Sequence, residues 1–149
     1  MFCVSQFNLL HMPKTNLQQH IFIDALPSKV WKVLTSCDYI KQYLLDGIIH
    51  CLWKEGGEIV VKKQTEDKTE TVYTGNVLQV IPGVLLKYNL IEERTDSFST
   101  VTYELIPAEN GIELKFCNEG FFNTTEDYSF RINESKLLLQ KIKWLAEYA

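Results

Sequence analysis

Apolar and polar positions alternate from Gln19 to Ala25 and put Ile21 and Ile23 on one face, the period of a half-buried strand. Pro27 then suits the first turn of a helix, where its missing N–H costs nothing, and Val30, Trp31 and Leu34 follow at helical spacing. Asp38 reads as the N-cap of a second short helix carrying Tyr39, Ile40, Tyr43 and Leu44, which Gly47 ends. From Ile48 the period changes to two. Strands are predicted over Ile48 to Trp53, Glu58 to Gln64, Glu70 to Ile81, Val84 to Ile91, Phe98 to Ile106 and from Ile112 through Cys117. Gly56-Gly57, Thr65 to Thr69, Pro82-Gly83, Glu92 to Asp96 and Asn110-Gly111 supply the turns between them. Leu86, Tyr88 and Leu90 share a face, as do Val101, Tyr103 and Leu105, and Ile112, Leu114 and Phe116, with Asn118 in phase. The pattern is that of an antiparallel meander with one apolar and one solvated face. The first strand must join the same sheet, because a lone strand is not stable.

The chain closes on a helix predicted from Thr125 to Tyr148, with a break considered near Asn133. At 100° per residue, Leu138, Ile142, Leu145 and Ala149 form one stripe, with Leu139 and Ala146 beside it. Leu137, Trp144 and Tyr148 form a second stripe on the far side of Lys141, and only Lys136, Gln140, Lys143 and Glu147 make a polar arc. Such a helix wants apolar contact around most of its circumference. The expected fold is therefore α+β: a curved antiparallel sheet wrapped around a long C-terminal helix, with two short helices after the first strand. A curved sheet cannot close on a helix along its whole length. An apolar cavity between them is expected.

Composition narrows the function without naming it. The 149 residues carry a formal net charge of −4, with 46% hydrophobic and 23% charged residues. That charge leaves no basic footprint for nucleic acid and no polybasic membrane anchor. No run approaches the roughly 20 apolar residues of a membrane span. Cys3, Cys37, Cys51 and Cys117 are scattered, without metal-ligand spacing, and predict free thiols, no metal site and a reducing, cytoplasmic location. The opening residues lack a basic leader and a cleavage site, and residues 1–15 are expected to be a loose extension of a single domain spanning residues 16–149. Met12 is a second candidate start.

Several segments resemble, in order, a known family. Ile23-Asp24-Ala25-Leu26-Pro27-Ser28-Lys29-Val30-Trp31 is similar to its opening signature. Trp53-Lys54-Glu55-Gly56-Gly57-Glu58 resembles its Trp-x-x-Gly-Gly element, and Gly75-Asn76-Val77-Leu78-Gln79-Val80-Ile81-Pro82 its Gly-x-Val-Leu-Glu-Val-x-Pro strand. Ser99 to Leu105 and Asn118-Glu119-Gly120-Phe121 complete the set. The family is the activator of heat-shock-protein-90 ATPase homologue-like group of the START-like (Bet v 1-like, SRPBCC) superfamily, whose fold is called a helix grip. The superfamily includes lipid and sterol carriers, hormone receptors, cyclases and chaperone activators, so the resemblance implies a shape more than an activity. Where the family commonly has Thr-His before Glu-Gly, this chain has Cys117-Asn118, and any role of that imidazole is lost.

The residues nominate no catalytic group. His11 lies in the leading segment, His20 shares the solvent face with Phe22, and His50 sits in a short edge-like strand. Acidic residues gather in turns, and no nucleophile triad, phosphate loop or cofactor motif is present. The expected function is non-catalytic binding of a small hydrophobic or amphipathic ligand. Its site would be built from Tyr88, Tyr103, Phe116, Asn118, Leu138, Lys141 and Trp144, without a cofactor. Lys141 is either a carboxylate anchor or a side chain whose stem packs and whose head reaches water. The alternatives are a module that docks a chaperone or other protein, and a cyclase- or hydrolase-like enzyme using the cavity tyrosines.

Overall fold

The computed structural model describes residues 14–44, 47–94, 97–121 and 125–149. The leading segment expected to be loose falls outside them, except that Lys14 and Thr15 already belong to the first strand. In chain order the elements are β1 (Lys14–Ile23), α1 (Pro27–Thr35), α2 (Cys37–Tyr43), β2 (Gly47–Cys51), β3 (Glu58–Gln64), β4 (Thr69–Ile81), β5 (Leu85–Glu92), β6 (Phe98–Ala108), β7 (Gly111–Phe121) and α3 (Thr125–Tyr148). The seven strands form one antiparallel sheet in the order β1-β7-β6-β5-β4-β3-β2. It is the predicted meander, with β1 returning to pair against β7 from Lys14↔Phe121 to Ile23↔Ile112.

Two helix boundaries differ from the sequence reading. Asp38 is not the N-cap of α2; Ser36 is, held extended after α1, and Asp38 lies in the first turn, where its charge suits the helix dipole. Gly47 does not end α2 either. The Leu44 N–H closes the last turn on the Ile40 carbonyl, Leu44 itself turns extended, and Gly47 opens β2.

The sheet bends where its register slips, between Val61 and Lys62 opposite β4 and between Val77 and Gln79 opposite β5. Each irregularity adds local twist. Gly75 sits between them, where a Cβ would collide with the Asn89 carbonyl oxygen, so only glycine lets β4 approach β5 this closely. The concave face then presents Ile59 and Val61 of β3, Val77 of β4, Leu86 of β5, Val101, Tyr103 and Leu105 of β6, and Ile112, Leu114 and Phe116 of β7, all buried.

Helix α3 runs unbroken through Asn133. Its closest backbone neighbours are β1 and α1, so its C-terminal half packs against one end of the grip. There Leu139, Ile142, Leu145 and Ala146 are buried with Val30, Val33 and Ile23. Polar ties fix the same end. Glu147 accepts from the Asp24 N–H at 2.8 Å and from Lys143 at 2.6 Å, while Lys143 also donates to the Phe22 carbonyl. The Lys143 bond, reinforced by the Asp24 N–H, holds the Glu147 carboxyl below its usual range.

The expectation of apolar contact around most of the helix circumference does not hold. Leu137, Trp144 and Tyr148 are 59%, 58% and 73% exposed, and the Trp144 and Tyr148 rings pair with each other at 6.1 Å. The sheet curves over one side of α3 and leaves the other to solvent. Two substitutions read this asymmetry. Ile142→Ala removes a fully buried side chain and lowers unfolding stability by about 2–5 kcal/mol in guanidinium titration. Trp144→Ala, at an exposed position, changes it by about 0.5 kcal/mol or less.

Candidate functional site

The stretch of α3 from Arg131 to Lys141 passes over the sheet, where Gln19 donates to the Ile132 carbonyl at 3.2 Å. A cavity of about 220 Å³ lies between them. Leu34 of α1 and Ile40, Tyr43 and Leu44 of the α2 region close one side, and Ile59, Val61, Val72 and Tyr73 another. Its floor is a row of aromatic rings. Trp53 meets Tyr88 edge-on at 5.8 Å, Tyr88 lies 6.5 Å from Tyr103, and Tyr103 lies 5.3 Å from Phe116. Strand alternation builds the row, since Tyr88, Tyr103 and Phe116 sit on the inward positions of three adjacent strands.

Trp53 reaches the row from a loop. Gly56 adopts φ +80°, its N–H donates to the Val77 carbonyl, and the Val77 N–H donates back to Gly57. At Gly57 a side chain would strike the Leu52 carbonyl. The glycine pair thus pins the loop to β4 and turns Trp53 onto the cavity wall.

Polar groups in the wall divide into satisfied and unsatisfied ones. The Tyr43 hydroxyl donates to the Val33 carbonyl at 3.0 Å, and the Ser135 hydroxyl to the Ile132 carbonyl at 2.9 Å. The Tyr88 and Tyr103 rings lie tilted against each other at 6.5 Å. Trp53 Nε1 and Asn118 Oδ1 are buried without a hydrogen-bond partner. Charge is confined to one side: Arg131, Glu134 and Lys141 of α3 line the cavity, and Arg131 pairs with Glu92 at 3.7 Å.

Six of the seven residues nominated from the sequence therefore line this cavity: Tyr88, Tyr103, Phe116, Asn118, Leu138 and Lys141. Trp144 does not. It faces solvent on the exposed stripe, one turn beyond Lys141 and away from the sheet. Lys141 is exposed and stands at the cavity mouth with Leu137. Sequence reasoning missed Trp53, Tyr43, Tyr73 and Arg131. Arg131 carried a readable signal, for it lies in helical phase with Leu138, Ile142 and Leu145 on the buried stripe.

The chain belongs to the family described as Activator of Hsp90 ATPase homolog 1-like protein, whose match spans residues 24–147. No curated protein matches the chain. Among solved structures, protein MLL2253 from Mesorhizobium loti superposes with a TM-score of 0.75 at 21% identity, covering 88% of this chain and 96% of that one. The Aha1 dimer from Colwellia psychrerythraea gives 0.71 at 18% identity, covering 90% and 97%. Ara h 8.0201 gives 0.71 at 11% identity, covering 90% and 98%. The fold is the Bet v 1-like helix grip of the START-like superfamily. In this family member the Trp-x-x-Gly-Gly resemblance acquires a physical meaning, as the turn that carries Trp53 to the cavity. Among the described residues no helix is long and apolar enough to cross a membrane, and no three His, Cys, Asp or Glu side chains group to hold a metal.

Burial sets the protonation of the site. It pushes the phenols of Tyr43, Tyr88 and Tyr103 above their ordinary value of 10.0, and the Cys51 thiol, beside Cys37, up to about 12. A raised tyrosine favours the folded state while it stays neutral. Its stabilisation is complete below the unfolded-state value and is lost as the pH climbs through the folded one. Urea midpoints measured between about pH 8 and pH 11.5 should hold steady to about pH 9.5 and then fall. In the double substitution Tyr88→Phe, Tyr103→Phe the fall is shallower than in the parent.

Proposed function

We propose that this domain binds a small, mostly apolar molecule in the cavity between α3 and the aromatic row, without catalysing a reaction on it. The observation that carries the reading is the cavity itself. An apolar cavity of about 150 Å³ is large enough to hold benzene, and this one measures about 220 Å³ with walls that are chiefly Leu, Ile, Val and aromatic side chains. That is below the range of about 300–1,000 Å³ usual for drug-sized ligands, so the occupant is a compact one.

The wall chemistry suits binding better than catalysis. A general base works best with a pKa near the ambient pH. The cavity tyrosines are displaced in the opposite direction by burial. His20 and His50 are exposed and line no part of the cavity. A cytoplasmic setting fits the free thiols of Cys37, Cys51 and Cys117.

One observation favours a second reading. The exposed strip of Leu137, Trp144 and Tyr148 offers apolar surface to a chaperone or another protein.

The two readings part on one substitution. Leu138→Trp places an indole in the cavity, so binding of 2-ethylnaphthalene, followed by its fluorescence, should be lost while the unfolding midpoint hardly moves. If the parent protein never binds the probe, and Leu138→Trp costs the roughly 1–3 kcal/mol of an overpacked core, the cavity reading fails. The protein-docking reading then takes its place.

A further inference from the structure

The polar atoms of the cavity restrict what can fill it, provided the ligand-binding reading above holds. On the sheet side the wall contains no charged group among the described residues: it is made of Trp53, Tyr73, Tyr88, Ser99, Tyr103, Phe116, Asn118 and aliphatic side chains. On the helix side Arg131 is paired with Glu92, Glu134 adds a carboxylate, and Lys141 is exposed at the mouth. An ionised ligand carried into the interior would lose its hydration without meeting a dedicated counter-charge, which is costly. A carboxylate anchored by Lys141 would remain at the rim, outside the aromatic row.

Inside the cavity the Trp53 N–H and the Asn118 side-chain oxygen are buried without a hydrogen-bond partner among the described residues. The indole nitrogen can only donate, so it requires an acceptor. The Asn118 amide can turn to offer its oxygen or its NH2, so it requires a group that can answer either. A hydroxyl does both.

The sheet separates these groups by a definite span. Tyr88 is registered against Val101, and Val101 against Asn118, so Asn118 stands two strands from Tyr88. Two interstrand spacings are on the order of 10 Å. Trp53 lies on the other side of Tyr88, toward β3 and β2, with its ring 5.8 Å from the Tyr88 ring. The unpartnered donor and the unpartnered amide therefore sit at opposite ends of the aromatic row.

We infer that the natural occupant is an uncharged, flat or extended molecule, apolar along its middle, with a hydrogen-bond acceptor at the Trp53 end and a hydroxyl-like group at the Asn118 end. Hydroxy-ketones, hydroxy-esters and phenolic carbonyl compounds of one to two rings belong to this class.

Four probes built on one ring system test the assignment by isothermal titration. 2-Ethylnaphthalene has neither polar group, 2-acetonaphthone has the acceptor, 6-hydroxy-2-acetonaphthone has both at opposite ends, and 2-naphthoate carries a charge. Each hydrogen bond to a neutral partner should tighten binding by about three- to tenfold. The hydroxy-ketone is then the tightest, by about ten- to a hundredfold over 2-ethylnaphthalene, and 2-naphthoate is weaker than 2-acetonaphthone. Trp53→Phe should erase the advantage of 2-acetonaphthone over 2-ethylnaphthalene. Asn118→Leu should erase the advantage conferred by the hydroxyl, and both variants should still bind 2-ethylnaphthalene. If 2-ethylnaphthalene binds and the polar probes gain nothing, or the gains survive both substitutions, the assignment of ligand class is overturned while cavity binding stands. If no probe binds the parent protein, the cavity reading falls and takes this inference with it.

Discussion

A straight helix can follow a curved sheet closely over only part of its length, and the rest of this molecule is arranged around that mismatch. The contact is made at the C-terminal half of α3. Leu139, Ile142, Leu145 and Ala146 pack there against β1 and α1, and Glu147 and Lys143 tie the helix to the backbone of Phe22 and Asp24. Once that end is fixed, the stretch from Arg131 to Lys141 crosses the sheet above the cavity, and the register slips beside Gly75 add local twist to the strands beneath it. The cavity is thus a consequence of two local features far apart in sequence, a glycine that admits close strand approach and a helix end that is clamped.

Much of this was legible in the chain. Strand alternation placed Tyr88, Tyr103, Phe116 and Asn118 on one inner face, and the register bears this out strand by strand. The turns at Gly83 and Asn110 have the left-handed backbone their residues suggest. What periodicity could not give was which apolar stripe of α3 meets the sheet. Leu137, Trp144 and Tyr148 are as apolar as Leu138, Ile142 and Leu145, and a helical wheel carries no information about the side from which a sheet approaches. Trp144 was placed in the wall for that reason and lies outside it.

Trp53 and Arg131 escaped for different reasons. Trp53 lies in a loop, where neither helical nor strand period predicts direction, and only the paired backbone bonds between Gly56, Gly57 and Val77 turn it inward. Arg131 was visible on the buried stripe but reads as an error of patterning unless its partners are known. Glu92 of β5 supplies one, from a position 39 residues earlier in the chain. Lys141 showed the opposite behaviour. It looked enclosed by two apolar stripes, yet one of those stripes is solvent-exposed, so the ammonium reaches water and the stem covers the cavity mouth.

The proposed site differs from an ordinary core in the polar atoms of its wall. A core built for stability alone tends to satisfy its polar atoms, because an unmade hydrogen bond costs about 1–3 kcal/mol in a domain whose whole stability is about 5–15 kcal/mol. Here the wall holds tryptophan and asparagine where phenylalanine and leucine would fill similar space at no such cost, and both polar atoms stand unpartnered. Tyr43 and Ser135, on the same wall, each reach a backbone carbonyl. The fold can therefore satisfy a buried hydroxyl where nothing else is needed. The contrast within one wall argues that Trp53 and Asn118 are held ready for a partner that enters the cavity, and that their separation along the row measures its length.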